Sequence, residues 1–262
     1  MVITKEPMFA KERQDQILAI LRKDKKLLVH ELSERLSVSA VTIRNDLREL
    51  EEKGLLIRTH GGAIPLSNTG YEEDSSKKET KNILQKEAIA KEAAKYVQNG
   101  DTIAIDTGTT ALAFAHRLVD KKNLTVVTSD LKIALFLEEN TDATVLLLGG
   151  MVRRGYHCNV GPLAEQALSQ LYVDKCFMAT NGVTVERGLT TPNVEQASVK
   201  RMIIKHSNQV IVICDGEKVG RNALVSFSPV SDIHILITDA SADHQSLNAM
   251  AELDVEVQCV DI

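Results

Sequence analysis

Between residues 13 and 66 the apolar positions recur three times at helical spacing and then change to short extended runs. Ile17, Leu18, Ile20 and Leu21 make one stripe, and Val29, Leu32 and Leu36 make a second on a shorter segment. Ser37-Val38 fits the turn between that segment and the next. Ser39 stands where an N-cap belongs, ahead of a third helix whose Ile43, Leu47 and Leu50 share one face. Val41, Asn45 and Arg48 then fall on the opposite side, flanked by Thr42 and Arg44. Gly54 fits the position just past that helix. Residues 55–60 and 63–64 read as two short strands about a tight Gly61-Gly62 turn, with Arg58 and His60 on the hairpin. This order predicts a winged helix-turn-helix over residues 1–66. Its outward Thr, Asn and Arg side chains suit base edges and phosphates, and a helix of this width fits the major groove of double-stranded DNA. The expected DNA-contacting residues are Ser39, Thr42, Arg44, Asn45, Arg48, Arg58 and His60.

The pattern then changes twice. Residues 67–80 are polar, charged and poor in aliphatics, which suits a linker, placed over 67–82. From residue 83 a helix is followed by strands and helices in alternation. Strands are expected at 102–106, 124–128, 144–148, 175–179, 209–214 and 234–238, and helices at 110–119, 131–139, 162–171 and 194–206. Near-continuous aliphatic strands separated by helices predict a buried, mostly parallel sheet, so residues 83–262 form an α/β domain of a size suited to sensing.

Ligands of open parallel sheets sit beyond the carboxyl ends of the strands, which directs attention to the segments after each strand. Asp106-Thr-Gly-Thr-Thr110 leads from a strand into a helix. Gly108 permits close backbone approach, Thr109 and Thr110 add hydroxyls, and a helix N-terminus favours an anion such as phosphate. The same loop also reads as a capped turn, being neither a dinucleotide fingerprint nor a Walker loop. Thr128-Ser129, Arg153 after Gly149-Gly150, Asn181-Gly182 and the 215–220 segment with Lys218 follow other strands and can converge on one rim. Lys218 and Arg153 are candidate counter-charges, Lys as a point charge and Arg as a bidentate donor, although Arg153 reads equally as a solvated cation. Glu195 can accept sugar hydroxyls or serve only as a first-turn carboxylate. Lys200 reads as a charge on the helix surface.

Arg13, Ile17 and Leu21, followed by Ser39-x-x-Thr42-Ile43-Arg44-Asn45-Asp46-Leu47 and by Arg-Thr-His-Gly-Gly-Ala over 58–63, resemble the DeoR family of bacterial transcription regulators. The helix-turn-helix signature matches without departure. The likeness extends to the Asp106–Thr110 loop, the Asn181-Gly182 segment, the Glu195-to-Lys200 spacing and the 215–220 stretch, which look like that family's effector-site elements. The resemblance implies a C-terminal domain similar in fold to ribose-5-phosphate isomerase that senses phosphorylated sugars or related metabolites. It also implies repression as the commoner mode, acting on a carbohydrate-metabolism operon. One position departs from the pattern. Relatives commonly carry Ser before the Lys of the last motif, whereas this chain has Glu217.

Composition adjusts this picture in three ways. Hydrophobic residues make up 44% of the 262, but aromatics only 3% with no Trp, so aliphatic packing dominates. The net charge of -5 is divided unevenly, +2 over residues 1–66 and -7 over the remainder. A head so mildly cationic must take its specificity from placed residues and from paired heads on two half-sites, which implies a homodimer or higher homo-oligomer. Cys158, Cys176, Cys214 and Cys259 are widely separated, so neither disulfides nor a metal site are expected, and no cofactor motif is legible. No run approaches the roughly eighteen apolar residues of a membrane span and no signal-peptide pattern opens the chain, so a cytoplasmic protein without membrane contact is expected. The alternative is a sugar-phosphate isomerase or hydrolase with an appended head, which needs an acid/base pair such as Glu195 with Asp215 or Asp106.

Overall fold

The three helical stripes of the N-terminal segment close on one another through their apolar faces. The computed structural model describes residues 9–24, 26–52, 55–65 and 69–262, and the chain divides into two units between residues 68 and 69. In the first unit α1 (Ala10–Asp24) is followed by β1 (Leu27–Leu28), α2 (Val29–Leu36), α3 (Ala40–Glu52), β2 (Ile57–Thr59) and β3 (Gly62–Ile64). Ile17, Leu21, Leu32, Ile43, Leu47, Leu50 and Leu56 are buried together. Each such side chain contributes about 1.5–3 kcal/mol by leaving water. Ser37 turns the chain with a left-handed backbone, φ 55°, and the Ser33 hydroxyl donates to the Val38 carbonyl at 2.5 Å.

Two details of the wing differ from expectation. Thr59 pairs with Gly62, so the hairpin turn is His60-Gly61 and Gly62 belongs to β3. The two-residue β1 pairs with β3 at Leu27↔Ala63 and Leu28↔Gly62, giving the order β1-β3-β2. Gly62 is required there, because a Cβ would lie 1.6 Å from the Leu27 carbonyl oxygen. Gly54, expected to end α3, lies outside the described residues, as do residues 67 and 68 of the expected linker.

The second unit opens with α4 (Ser75–Thr80) and α5 (Ile83–Ala93). It continues through β4 (Thr102–Ile105), α6 (Thr109–Ala115), β5 (Thr125–Thr128), α7 (Leu131–Asn140) and β6 (Thr144–Leu147). A hairpin of β7 (Met151–Arg153) and β8 (Cys158–Val160) precedes α8 (Pro162–Leu168) and β9 (Val173–Met178). After β10 (Gly182–Thr184) and β11 (Gly188–Thr191) come α9 (Val194–Lys205), β12 (Ser207–Ile213) and β13 (Val225–Ser228). The chain closes with β14 (Ile235–Asp239), α10 (His244–Ala251) and β15 (Glu256–Val260). Seven strands form one sheet in the order β15-β14-β12-β9-β4-β5-β6, parallel throughout. One face carries Ile89, Phe114, Ile133 and Leu137 from α5, α6 and α7, with Phe114 stacked on Phe177 of β9. The other carries Ala164, Ala197, Ile203 and Met250 from α8, α9 and α10. β10, β11 and β13 make a small antiparallel sheet.

The six expected strands are present, joined by β15 and the small strands. From Thr69 onward the stretch expected as a linker is packed into the second unit. Its few aliphatics suggested solvent, but it is held by charge: Glu72 is buried between Lys78 and Arg153. The thiols of Cys158, Cys176 and Cys214 are buried and free, whereas Cys259 is exposed. Burial pushes the Cys176 thiol up to about 12.

Candidate functional site

In the first unit α3 is fixed from behind and open in front. The Ser39 hydroxyl accepts from the Thr42 backbone N–H at 3.1 Å, capping the helix, and lies 2.9 Å from the Thr42 hydroxyl. Ile43, Asp46, Leu47 and Leu50 are buried, while Val41, Arg44, Asn45 and Arg48 are exposed and Thr42 is half-buried. Arg13 of α1 grips Asp46 with two hydrogen bonds, Nε to Oδ2 at 2.5 Å and Nη2 to Oδ1 at 2.9 Å. This bidentate pair locks α3 to α1 and raises the Arg13 pKa through its hydrogen bond to Asp46. Its role was missed in the sequence, where both residues counted only as signature positions. Arg48 donates to Asn45 Oδ1 at 3.2 Å, which orders the exposed pair. On the wing, the Arg58 backbone N–H donates to Glu51 at 2.8 Å, and His60 stands exposed at the turn. Arg44, Arg58, Thr59 and His60 line one groove between α3 and the hairpin.

The second unit's cleft follows from the strand order. Successive strands run from β4 through β5 to β6 on one side and from β9 through β12 to β14 on the other. The loops leaving β4 and β9 therefore diverge and open a crevice at their carboxyl ends. Thr107–Thr110 form one wall of it and Ala179–Asn181 the other. Gly108 sits at φ 131°, a conformation that favours glycine, and α6 starts there without a side-chain cap. Lys78, Lys81, Lys86, Lys200 and Lys218 also line the cleft with Glu72, Glu73 and Asp215. Lys78 pairs with Glu72, Lys81 with Glu217 and Lys200 with Asp106, which leaves Lys86 and Lys218 as the lining lysines without an ion pair among the described residues. Burial lowers the pKa of Lys78 and of Lys86, whose ammonium donates to the Lys78 and Lys81 carbonyls. Asp215 is buried, and its Oδ1 has no hydrogen-bond partner among the described residues.

Two family models match the chain, the DeoR-like helix-turn-helix domain over residues 13–69 and the DeoR C terminal sensor domain over residues 81–240. The chain belongs to the DeoR family. This DeoR-family chain is 40% identical over 232 residues to the HTH-type transcriptional regulator GolR of Listeria innocua, covering 88% of this chain and 91% of that one. It is 35% identical over 230 residues to the transcriptional repressor AccR of Agrobacterium fabrum, with 87% and 89% covered. Membership makes it a helix-turn-helix transcription regulator with a sensor domain, not an enzyme. The ribose 5-phosphate isomerase A of Methanocaldococcus jannaschii superposes with a TM-score of 0.38 at 18% identity, over 51% of this chain and 53% of that one. So low a score adds nothing to the α/β assignment, which rests on the parallel sheet itself.

Of the residues expected at the DeoR effector site, Gly108, Thr109, Thr110, Asn181 and Lys218 do line the cleft. The others are placed elsewhere. Asp106 lies beneath the floor, ion-paired with Lys200 and accepting the Ala179 backbone N–H at 2.9 Å. Thr128 and Ser129 are buried outside the lining, where the Thr128 hydroxyl accepts the Asp130 N–H at 3.1 Å. Asp130 in turn caps α7 and accepts the Gly108 N–H at 3.3 Å, so this segment supports the loop. Gly182 is closed in by the Arg221 carbonyl, 2.4 Å from where a Cβ would stand. Arg153 does not line the cleft itself but contacts two residues that do, donating to Gln196 at 2.9 Å and paired with Glu72 at 2.7 Å. Glu195 is exposed on α9, and the next residue, Gln196, lines the cleft. Lys200 is no surface charge: its side chain is 2% exposed, and its ammonium also donates to the Ala179 carbonyl at 3.0 Å. Glu217 pairs with Lys81 at 2.6 Å, which offsets the charge it adds beside Lys218. The carboxylates considered for acid/base chemistry do not meet in the cleft, because Glu195 faces solvent and Asp106 is held by Lys200.

Proposed function

We propose that this regulator represses a carbohydrate-metabolism operon as a cytoplasmic homodimer or higher homo-oligomer, and that a phosphorylated sugar bound at the β4/β9 crevice changes its operator affinity. The observation that carries the effector class is the meeting in one cleft of Lys86 and Lys218, which form no ion pair among the described residues, with an unpartnered buried acceptor, Asp215 Oδ1. An anionic group satisfies the first and a hydroxyl the second, and a sugar phosphate carries both. Thr109 and Thr110 supply further hydroxyls on the same wall. Repression is supported by the name of the relative AccR. Ser39, Thr42, Arg44, Asn45, Arg48, Arg58 and His60 form the DNA face in this proposal, because they are presented on α3 and the wing while the apolar side of α3 is closed. Paired heads would read two half-sites, since one recognition helix reaches few bases.

A thermal-shift screen of the full chain against phosphorylated sugars, followed by operator titration with and without each hit, tests the proposal. At least one sugar phosphate should raise the melting temperature and alter operator affinity. If none does either, the effector class is wrong.

A further inference from the structure

Part of the cleft's positive charge is met by a residue from the segment that follows the DNA-binding head. Glu72, three residues before α4, has a side chain only 6% exposed. Its Oε1 accepts from Lys78 Nζ at 2.8 Å and from Asn181 Nδ2 at 3.4 Å, and its Oε2 lies 2.7 Å from Arg153 Nη2. The backbone carbonyl of Glu72 accepts the Tyr156 hydroxyl at 3.2 Å. Arg153 has supports besides Glu72. Its guanidinium carbon sits 3.8 Å from the centroid of the Tyr156 ring, and Nη1 donates to Gln196. The Arg153 side of a receiving site for an oxyanion is therefore held by residues other than Glu72.

The charges around Glu72 do not balance. One carboxylate faces two cations, and Lys218 and Lys200 add repulsion that, after burial itself, lowers the Lys78 pKa. Burial opposes ionisation of Glu72 too, yet Lys78 and Arg153 outweigh it and hold the carboxyl below its usual range. A phosphate dianion would match two cations where a carboxylate matches one.

We propose that Arg153, Lys78 and Asn181 form an oxyanion subsite, occupied in this structure by the Glu72 carboxylate, which takes a phosphate group in exchange for Glu72. This deepens the effector reading above and rests on it. The exchange releases the segment from Thr69 to α4, through which the sensor is joined to the head, so binding is converted into loss of order at that joint. Glu72 thereby competes with the ligand and sets the affinity threshold of the site.

Calorimetric titration of the full chain with inorganic phosphate, combined with amide hydrogen exchange, tests this. Glu72→Gln removes the competing charge and keeps a side chain of the same shape, so phosphate should bind about tenfold tighter than to wild type, and adding Arg153→Gln should abolish the gain. In wild type, saturating phosphate should speed exchange across residues 69–74, ahead of the helix that carries Lys78, a readout that needs no variant. Equal or weaker phosphate binding by Glu72→Gln, or unchanged exchange in that segment, would overturn the proposal. The two readings fail separately. A sugar phosphate that shifts operator affinity while residues 69–74 stay protected sinks the exchange and spares the sensor, whereas phosphate-driven exposure with no operator response to any sugar phosphate does the reverse.

Discussion

Ile43 and Arg44 are neighbours in sequence, one buried and the other exposed, so substitutions at the two should separate stability from recognition. Arg44→Ala or Asn45→Ala should weaken operator binding by about 1–3 kcal/mol per lost base contact, with the melting temperature unchanged. Ile43→Ala should destabilise the head by about 2–5 kcal/mol. Gel-shift titration beside thermal unfolding checks both, and unaltered affinity in both surface variants would mean that α3 does not face DNA this way. Burial and exposure were legible where one helix face decides them, as on α3. They were not legible where the partner is remote. Lys200 meets Asp106 across 94 positions of sequence. Its place on the buried stripe of α9, with Gln196, Ala197, Ile203 and Ile204, was the available signal, because a lysine on an apolar face must find a buried carboxylate or lose its charge. The same spacing separates Gln196 from Glu195: one residue turns the side chain about 100° around the helix, out of the cleft and into solvent.

At the scale of elements, the central strands could be read because both faces of a parallel sheet are buried. β12 therefore carries the run Val210–Ile213, all of it buried. β15 was not legible because Glu256 and Gln258 interrupt its aliphatic pattern, whereas β6, the other edge strand and as exposed, carries the unbroken run Val145–Leu147. β1 has only two residues and exists through its pairing with β3, which no local propensity signals. The segment from Thr69 through α4 read as linker because its anchor is an ionic contact rather than an apolar stripe. The wing gives the sharpest test at this scale. Gly62→Ala would drive a methyl into the Leu27 carbonyl, so β1 must separate from β3 or the hairpin must shift. We expect a loss of at least about 1–3 kcal/mol from the head. Gly61→Ala has no atom within 4 Å of its new methyl and should be far milder. Thermal unfolding of the two variants should rank them in that order, and equal stability would show that β1 does not pair as described.

For the whole molecule, effector control requires the ligand to bind the DNA-competent and DNA-incompetent states with different affinity, since equal binding shifts no population however tight it is. Thr109 and Lys218 line the cleft and belong to the second unit, whereas the proposed DNA face lies in the first. Thr109→Ala or Lys218→Ala should therefore blunt the response to a sugar phosphate and leave operator affinity without ligand near that of wild type. Coupling of about 1–3 kcal/mol corresponds to roughly a 5- to 150-fold change in operator affinity, wide enough to resolve by titration at limiting effector. The variants also discriminate within the cleft. Lys218 adjoins Glu217, which Lys81 engages at 2.6 Å, so the lysine remains available to a phosphate only while that pair holds. If Thr109→Ala is blunted and Lys218→Ala responds like wild type, the ligand contacts the β4 loop without the 216–218 turn, and Glu217 has turned that loop away from the phosphate. If both respond like wild type, the phosphate does not bind at the β4/β9 crevice.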